Sequence, residues 1–248
     1  MKETNPDDRE MALVEHLAEA RSRLIYIISA IAVVFVALLP FYDSVYTLFA
    51  RPVLSNLLKG QQMLAQDGID IFLTPIKVCL FLAVLLTMPW TLYQIWRYCA
   101  PALFQHEKRL AKPLLISATL FFYLGVLFAY LVILPIMFHF FSGIELEGVA
   151  YMPDITKYMS ISLAMFLAFG VVFEVPVATF ILVLLGVLDP HKLAQKRPYI
   201  ILAAFTIGMI LTPPDIISQT LLAVPLIIMF ELGLWAAKRF VGTKPLSS

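Results

Sequence analysis

Charged residues are scarce in this sequence of 248 residues. Aspartate, glutamate, lysine and arginine together make up 14%, whereas hydrophobic residues make up 61% and the mean hydropathy is +0.88. Soluble domains carry roughly 25% charged residues, so a soluble globule of this composition would have too few charges to cover its surface. The composition therefore indicates an integral membrane protein and excludes a disordered chain. The net charge of +1 excludes nucleic-acid binding that depends on overall charge.

Cysteines and the common catalytic motifs are also missing. The two cysteines, Cys79 and Cys99, are too few for a disulfide scaffold or a four-cysteine zinc site. The sequence contains no phosphate-binding G-x-x-x-x-G-K-[ST] loop, no zinc-binding H-E-x-x-H pair and no G-x-S-x-G nucleophile turn. We therefore expect no metal ion, no cofactor, no nucleic-acid partner and no enzymatic activity.

Uncharged stretches of membrane-spanning length divide the chain. Nineteen uncharged residues follow Arg23, nineteen follow Lys77 and 32 follow Lys112, and a helix needs about 20 apolar residues to cross the hydrocarbon core. We predict a single all-α membrane domain that covers the whole chain, 1–248. Its six transmembrane helices are expected at about 24–41, 73–97, 113–139, 157–186, 199–212 and 216–235. Apolar residues at helical spacing predict a further, interfacial helix at about 43–59 on the extracytoplasmic side.

The lysine and arginine residues orient these helices. Of the 18, 14 fall in the N-terminal tail, the second and fourth connections and the C-terminus. Because cytoplasmic connections carry an excess of positive charge, we expect both termini in the cytoplasm and the protein in the cytoplasmic (inner) membrane. Acidic residues precede the first apolar stretch, so we expect no cleavable signal peptide. The helices at 157–186 and 199–212 would measure about 45 Å and about 21 Å, so the last two helices are expected to form a short hairpin.

Glu174 is the only charged residue from Tyr158 to Leu188, the stretch that contains most of the fourth predicted span. A carboxylate near the bilayer centre costs at least about 2.5–3.5 kcal/mol on insertion scales. It is either a protonated or locally paired side chain that seals helix contacts, or a hydrated site linked to substrate or protons. The second interpretation leaves open a proton-coupled secondary transporter of a small solute. Against that alternative, the sequence shows no internal repeat of the kind that transporters carry.

Two further carboxylates, Glu19 and Glu107, lie where the pattern predicts the cytoplasmic surface. Glu19 precedes the first span, where it can simply complement the helix dipole. Glu107 lies in the second connection, where it can be an ordinary solvated loop charge. Together with Glu15, they place negative charge on a surface otherwise rich in cations. Such a patch suits a cationic partner, because arginine pairs bidentately with carboxylate.

The remaining polar residues of the last two helices have structural explanations as well. In the stretch Thr212–Asp215, two prolines end one helix and Asp215 caps the next. Gln219 and Thr212 offer hydrogen bonds between helices in lipid. Glu231 is expected to reach the membrane surface or to pair with Lys238 or Arg239.

Five sequence motifs, in consistent order and spacing from about Met11 to Gly242, resemble the TatC family, the multi-spanning receptor subunits of the twin-arginine protein translocase. The motifs are His16-Leu-Ala-Glu-Ala-Arg-Ser-Arg-Leu, Ala100-Pro-Ala-Leu-Phe-Gln-His-Glu, Phe169-Gly-Val-Val-Phe-Glu-Val-Pro, Lys196-Arg-Pro-Tyr and Leu211-Thr-Pro-Pro-Asp. Each motif is weak alone, whereas five in order are specific.

The resemblance implies that the protein binds signal peptides with paired arginines on folded cargo, in transport driven by the proton-motive force. It implies that Glu19 and Glu107 face those arginines. Tyr98, Leu103 and Arg21 would belong to the same cytoplasmic site. A lysine ammonium lacks the planar fork of arginine, which fits a site that distinguishes the two residues.

The resemblance also implies a concave, cupped arrangement of the helices, with Glu174 on the concave membrane face. The expected partners are single-span TatA and TatB subunits, other TatC copies and membrane lipid. The residues expected to contact partner subunits are Met209, Thr212, Asp215, Gln219 and, in an outer helical cap, Pro52.

Overall fold

The computed structural model describes residues 6–55, 68–99, 111–143, 154–211 and 216–240, which form a bundle of α-helices. The helices are α1 (Pro6–Leu38), α2 (Tyr42–Ser55), α3 (Gly68–Cys99), α4 (Ala111–Phe128), α5 (Leu134–Ser142), α6 (Ile155–Leu184), α7 (Pro190–Gln195), α8 (Arg197–Leu211) and α9 (Ile216–Phe240). A 3₁₀ turn, Leu39–Phe41, joins α1 to α2, and a π-helical turn, Ala129–Ile133, joins α4 to α5. No β-sheet occurs among these residues.

Five helical stretches among the described residues are long and apolar enough to cross a membrane. They are Leu17–Ala50, Gly68–Tyr98, Lys112–Phe141, Ile155–Leu184 and Ile216–Phe240. The fifth predicted span corresponds to the shorter apolar helix α8, whose 15 residues cover about 22 Å. The prediction of an all-α membrane fold is thus confirmed, whereas the number of six spans and the side on which the termini lie stay predictions.

The helices at the start of the chain extend beyond their apolar segments. The apolar pattern predicts a first span at 24–41, whereas α1 begins at Pro6. The preceding residues include alanine, leucine, glutamate and arginine, which favour helix, so the helix continues past its most apolar part. α3 likewise begins at Gly68 rather than near position 73. The predicted helix at 43–59 corresponds to α2, which ends at Ser55, and residues 56–59 lie outside the described part of the chain.

A close antiparallel contact between α4 and α6 forms the centre of the bundle. Gly125 of α4 lies against the backbone of Phe169, and Gly170 of α6 lies against the ring of Phe122. A β-carbon at Gly125 would lie 2.3 Å from the carbonyl oxygen of Phe169, so a larger residue requires the two helices to separate. Each glycine thus makes room for a phenylalanine of the facing helix, and both phenylalanines are buried.

α6 also packs against α9. Gly233 of α9 lies against Pro176, where an added β-carbon would come within 2.7 Å of the proline Cα. The same glycine faces the side chain of Thr179, one turn further along α6. Small residues that let backbones approach closely are typical of helix contacts in membranes. We call the three helices α4, α6 and α9 the central core.

A hydrogen bond between α3 and α4 compensates for a proline inside α3. Pro89 has no N–H group, so the helical hydrogen bond to the carbonyl of Leu85, four residues earlier, cannot form. The hydroxyl of Tyr123 donates to this carbonyl oxygen at 2.8 Å. An unsatisfied carbonyl is costly in lipid, and α4 therefore supplies the donor that α3 lacks.

The last two helices, α8 and α9, form an antiparallel hairpin. Near its closed end Gly208 lies against the backbone of Gln219, where an added β-carbon would be 3.3 Å from the carbonyl oxygen. At its open end Arg197 donates two hydrogen bonds to the carboxylate of Glu231, from Nε at 2.6 Å and from Nη2 at 2.7 Å. The expectation that Glu231 pairs with Lys238 or Arg239 is therefore wrong, because the antiparallel register brings Arg197 of the facing helix closer.

Candidate functional site

Two contacts fix the register between α1 and α3. Nη1 of Arg23 donates to Oε1 of Gln94 at 3.1 Å, and the thiol of Cys79 lies 4.0 Å from the carbonyl oxygen of Leu38. Leu38 and Cys79 are each fifteen residues away from Arg23 and Gln94 along their own helices. The two helices therefore run antiparallel in one constant register over about four turns.

Glu19 lies one turn before Arg23 and is held by it. Nη2 of Arg23 donates to Oε1 of Glu19 at 2.9 Å. The side chain of Glu19 is 35% exposed and that of Arg23 is 17% exposed, while Gln94 is only 2% exposed. We call these three residues the α1–α3 polar contact. The contact links the buried amide of Gln94, through Arg23, to the carboxylate of Glu19, which solvent can reach.

Tyr98 lies on the same side of α3 as Gln94, one turn nearer to the end of the helix. Glu19 lies one turn before Arg23 on α1, whereas Tyr98 lies one turn after Gln94 on α3. Because the two helices run antiparallel, the register places Tyr98 opposite Glu19. Tyr98 is half-buried, and Arg21 is exposed on α1. The structure thus brings together two predicted site residues, Glu19 and Tyr98, from separate helices.

Two other predicted members of this site, Leu103 and Glu107, lie outside the described residues. They follow the end of α3 at Cys99, in the connection that leads to α4. The described residues show only that α3 ends near Glu19, just before this connection begins. Their assignment to the site stays a prediction.

Glu174 lies inside α6, the helix of the central core that packs against both α4 and α9. Leu184 ends α6 ten residues later, a distance of about 15 Å along the helix axis. Oε1 of Glu174 is buried and has no hydrogen-bond partner among the described residues. The neighbouring ring of Phe173 packs against Phe128 with centroids 5.5 Å apart. Among the described residues no cation pairs with Glu174, so of the protonated and the locally paired forms of the first interpretation, the paired form finds no support there.

The predicted partner contact is only partly described. Met209 is 57% exposed on α8, and it follows Gly208, the residue that packs against Gln219 of α9. The structure therefore brings Met209 and Gln219 to the same end of the hairpin. Thr212 and Asp215 lie outside the described residues.

Pro52 belongs to α2, although its side chain is not among those described. Among the described residues, no group of three or more histidine, cysteine, aspartate or glutamate side chains is arranged to hold a metal ion.

Sequence reasoning missed the contact of Arg23 with Gln94 and Glu19. Gln94 is a polar residue in an otherwise apolar span, and Arg23 stands four residues after Glu19, the spacing at which helical ion pairs form. Both signals were present in the sequence, but nothing there aligned α1 with α3. The register became visible only with the packed helices.

Comparison with known proteins places the chain in a family. The family described as TatC, Sec-independent protein translocase protein, matches residues 15–225. The Sec-independent protein translocase protein TatC of Azotobacter chroococcum mcd 1 is 48% identical over 94% of this chain and 92% of its own length. The protein of the same name from Escherichia coli strain K12 is 45% identical over 93% of this chain and 89% of its own length.

A solved structure agrees with this assignment. The crystal structure of a twin arginine translocase receptor, TatC, superimposes with a TM-score of 0.82 at 34% identity and covers 90% of this chain and 98% of that one. These similarities lend no support to the solute-transporter alternative. The chain therefore belongs to the TatC family and is a multi-pass receptor subunit of a protein translocase, not an enzyme.

Proposed function

We propose that this chain binds the paired arginines of twin-arginine signal peptides at the end of the bundle where α1 carries Glu19 and α3 carries Tyr98. One observation carries the proposal: Glu19 is a carboxylate with a fixed position, a partner on one oxygen and 35% of its side chain exposed. A solvent-reachable carboxylate of this kind accepts charge-assisted hydrogen bonds from a guanidinium. The solved receptor structure with the same fold supports this assignment.

The site as proposed combines two carboxylates from different segments. Glu19 contributes one, and Glu107, in the connection that follows α3, contributes the other. Tyr98 and Leu103 provide apolar surface for the methylene stem of an arginine, and the exposed Arg21 lies two residues after Glu19 on α1. Two carboxylates at separate points select two arginines at a given spacing, which a single carboxylate would not do.

The proposed side of the membrane follows from the charge distribution. The ends of α1, α3, α8 and α9 that carry lysine and arginine would lie in the cytoplasm by the positive-inside rule. The chain would then be a subunit of the cytoplasmic membrane with both termini inside, and the α1–α3 polar contact would face cytoplasmic cargo. We also propose, as the resemblance to the TatC family implies, that transport draws on the proton-motive force, which fits the absence of a phosphate-binding loop from the sequence.

Peptide binding to the purified chain in nanodiscs tests the receptor proposal. An Arg-Arg signal peptide is expected to bind more tightly than its Lys-Lys twin, because lysine cannot form the planar two-point contact. Glu19→Gln is expected to remove most of this preference. The matched control is Asp43→Asn, which neutralises an exposed carboxylate in the first turn of α2, at the far end of α1. Equal binding of both peptides by the parent protein, with TatB present, would refute the proposal.

We also propose that the α8–α9 hairpin contacts single-span partners of the TatA and TatB type. The support is its geometry: Met209 projects from α8 beside the close Gly208–Gln219 contact, and most of α8 is exposed. Thr212 and Asp215 would complete this polar contact, and Pro52 and other copies of the chain would add further surfaces on the assembled complex.

Co-purification with a tagged TatB tests the partner contact. Gln219→Leu is expected to reduce recovery of TatB more than it reduces signal-peptide binding. Thr220→Val is the control, since the Thr220 hydroxyl bonds the carbonyl of Ile216 in its own helix. Equal loss of both activities in Gln219→Leu would show that the residue acts through folding instead.

A further inference from the structure

The α1–α3 polar contact contains two residues, Arg23 and Gln94, that are not part of the proposed peptide-binding site. Arg23 reaches Glu19 with Nη2 at 2.9 Å and Gln94 with Nη1 at 3.1 Å. Its Nε is buried and has no hydrogen-bond partner among the described residues. Glu19 and Gln94 are therefore the acceptors on which this guanidinium depends within the described part of the chain.

The contact restrains the carboxylate of Glu19 from one side. A glutamate on an outer helical turn has several rotamers available, and ordering it costs side-chain entropy. Here Oε1 is fixed by Arg23, and Arg23 is in turn fixed by a nearly buried amide on a different helix. The position of Glu19 is thus set relative to α3, the helix that carries Tyr98, as well as to α1.

The contact also leaves part of Glu19 available. Arg23 donates one hydrogen bond to one oxygen, although a guanidinium is able to bind both oxygens of a carboxylate. Gln94 accounts for the difference, because it draws the other terminal nitrogen toward α3. Oε2 receives no hydrogen bond from the described residues, and the side chain keeps 35% of its surface exposed.

We propose that Arg23 and Gln94 are positioning residues for signal-peptide recognition: Gln94 holds Arg23, Arg23 holds one oxygen of Glu19, and the second oxygen is presented to an incoming arginine. The inference rests on the proposed peptide-binding function of Glu19. Because Arg23 already offsets the charge of Glu19, binding there depends on the direction of hydrogen bonds more than on net charge. The pair therefore contributes to the choice of arginine over lysine.

The test compares affinities for Arg-Arg and Lys-Lys peptides in nanodiscs. Gln94→Leu, which keeps the side-chain volume and removes the acceptor, is expected to weaken Arg-Arg binding by about tenfold, as loss of a hydrogen bond to a charged group predicts. Lys-Lys binding is expected to change little, so the affinity ratio falls. Gln94→Glu keeps an acceptor at this position and is expected to restore the ratio. Arg23→Lys keeps the cation but cannot hold both acceptors in a planar fork, so it should lower the ratio as Gln94→Leu does.

Thr87→Val is the matched control, because Thr87 is a buried polar residue of α3 whose hydroxyl bonds carbonyl oxygens of its own helix. It should leave the ratio at the parent value. An unchanged ratio in both Gln94→Leu and Arg23→Lys would overturn the inference, as would an equal loss of both peptides in these variants and in Thr87→Val. Glu19→Gln separates the two proposals: if it loses the preference while Gln94→Leu and Arg23→Lys keep it, the receptor function stands and the positioning role falls.

Discussion

The first helix and the central core are attached to the bundle in different ways. In the most apolar stretch of the first span no residue is buried, whereas 39% of the corresponding stretches of α6 and α9 are buried. α6 packs between α4 and α9 with glycines at both contacts, while α1 packs mainly on α3. The α1–α3 interface includes the hydrogen bond from Arg23 to Gln94.

The difference shows that helices in a membrane are held together by two kinds of contact, close packing and hydrogen bonds. Apolar side chains gain little by leaving lipid, so close helix packing depends on shape, and glycines provide it in the central core. A helix with few such contacts gains orientation from hydrogen bonds instead. The proposed binding residue Glu19 lies on the more exposed helix, where a peptide can reach it, and is positioned from the better-buried α3.

The largest expected effect is a clash in the central core. Gly125→Ala places a β-carbon 2.3 Å from the carbonyl oxygen of Phe169, and overpacking against backbone is expected to lower the free energy of unfolding by about 3 kcal/mol or more. Thermal unfolding in detergent measures the loss. Gly68→Ala is the control, because nothing lies within 4 Å of a β-carbon there. Similar stability of the two variants would contradict the close contact between α4 and α6.

A second pair of variants compares the two regions directly. Val172 of the central core is 5% exposed and Val33 of α1 is 69% exposed. Val172→Ala is expected to destabilise the protein by about 2 kcal/mol through lost packing, whereas Val33→Ala should change stability by less than about 0.5 kcal/mol. Denaturation in mixed micelles measures both. Equal effects would mean that α1 is packed more fully than its exposure indicates.

A third, smaller effect is expected at the proline of α3. Tyr123→Phe removes the donor to the Leu85 carbonyl and should cost about 1 kcal/mol, in the range measured for hydrogen bonds between membrane helices. In a Pro89→Ala background α3 regains its own N–H donor, so the same substitution should cost less. A double-mutant cycle on unfolding free energies measures this coupling. Additive effects would show that the hydroxyl does not compensate for the proline.

The smallest effect is expected at the open end of the hairpin. Arg197→Gln breaks the pair with Glu231, whose side chains are 51% and 42% exposed, so solvent screening limits the loss of stability to about 0.5–1 kcal/mol. The loss should shrink as salt concentration rises. Lys238→Gln serves as the control, since Glu231 pairs with Arg197 instead. A larger loss in Lys238→Gln would favour the pairing expected from the sequence.

The sequence predicts the helical membrane fold because uncharged length is a local property, and Arg23, Lys77 and Lys112 mark its limits directly. It predicts Glu19 as a site residue because the motif around it is one of five that occur together in consistent order and spacing. It does not predict that Gln94 holds Arg23, or that Arg197 pairs with Glu231, since both depend on the register between helices distant in sequence. The same reason applies to Tyr123 and Pro89. The proline predicts that the carbonyl of Leu85 lacks its helical hydrogen bond, but the sequence does not predict that Tyr123 of another helix donates to it.

The constant register of α1 and α3 has a consequence for how the chain tolerates changes in length. One residue inserted between Arg23 and Leu38, or between Cys79 and Gln94, would turn the helix beyond it by about 100° and shift it by about 1.5 Å. Either change would separate Glu19 from Tyr98 or the Leu38 carbonyl from the Cys79 thiol. Insertions and deletions among relatives should therefore collect in the connections, and the segments 23–38 and 79–94 should keep a fixed length.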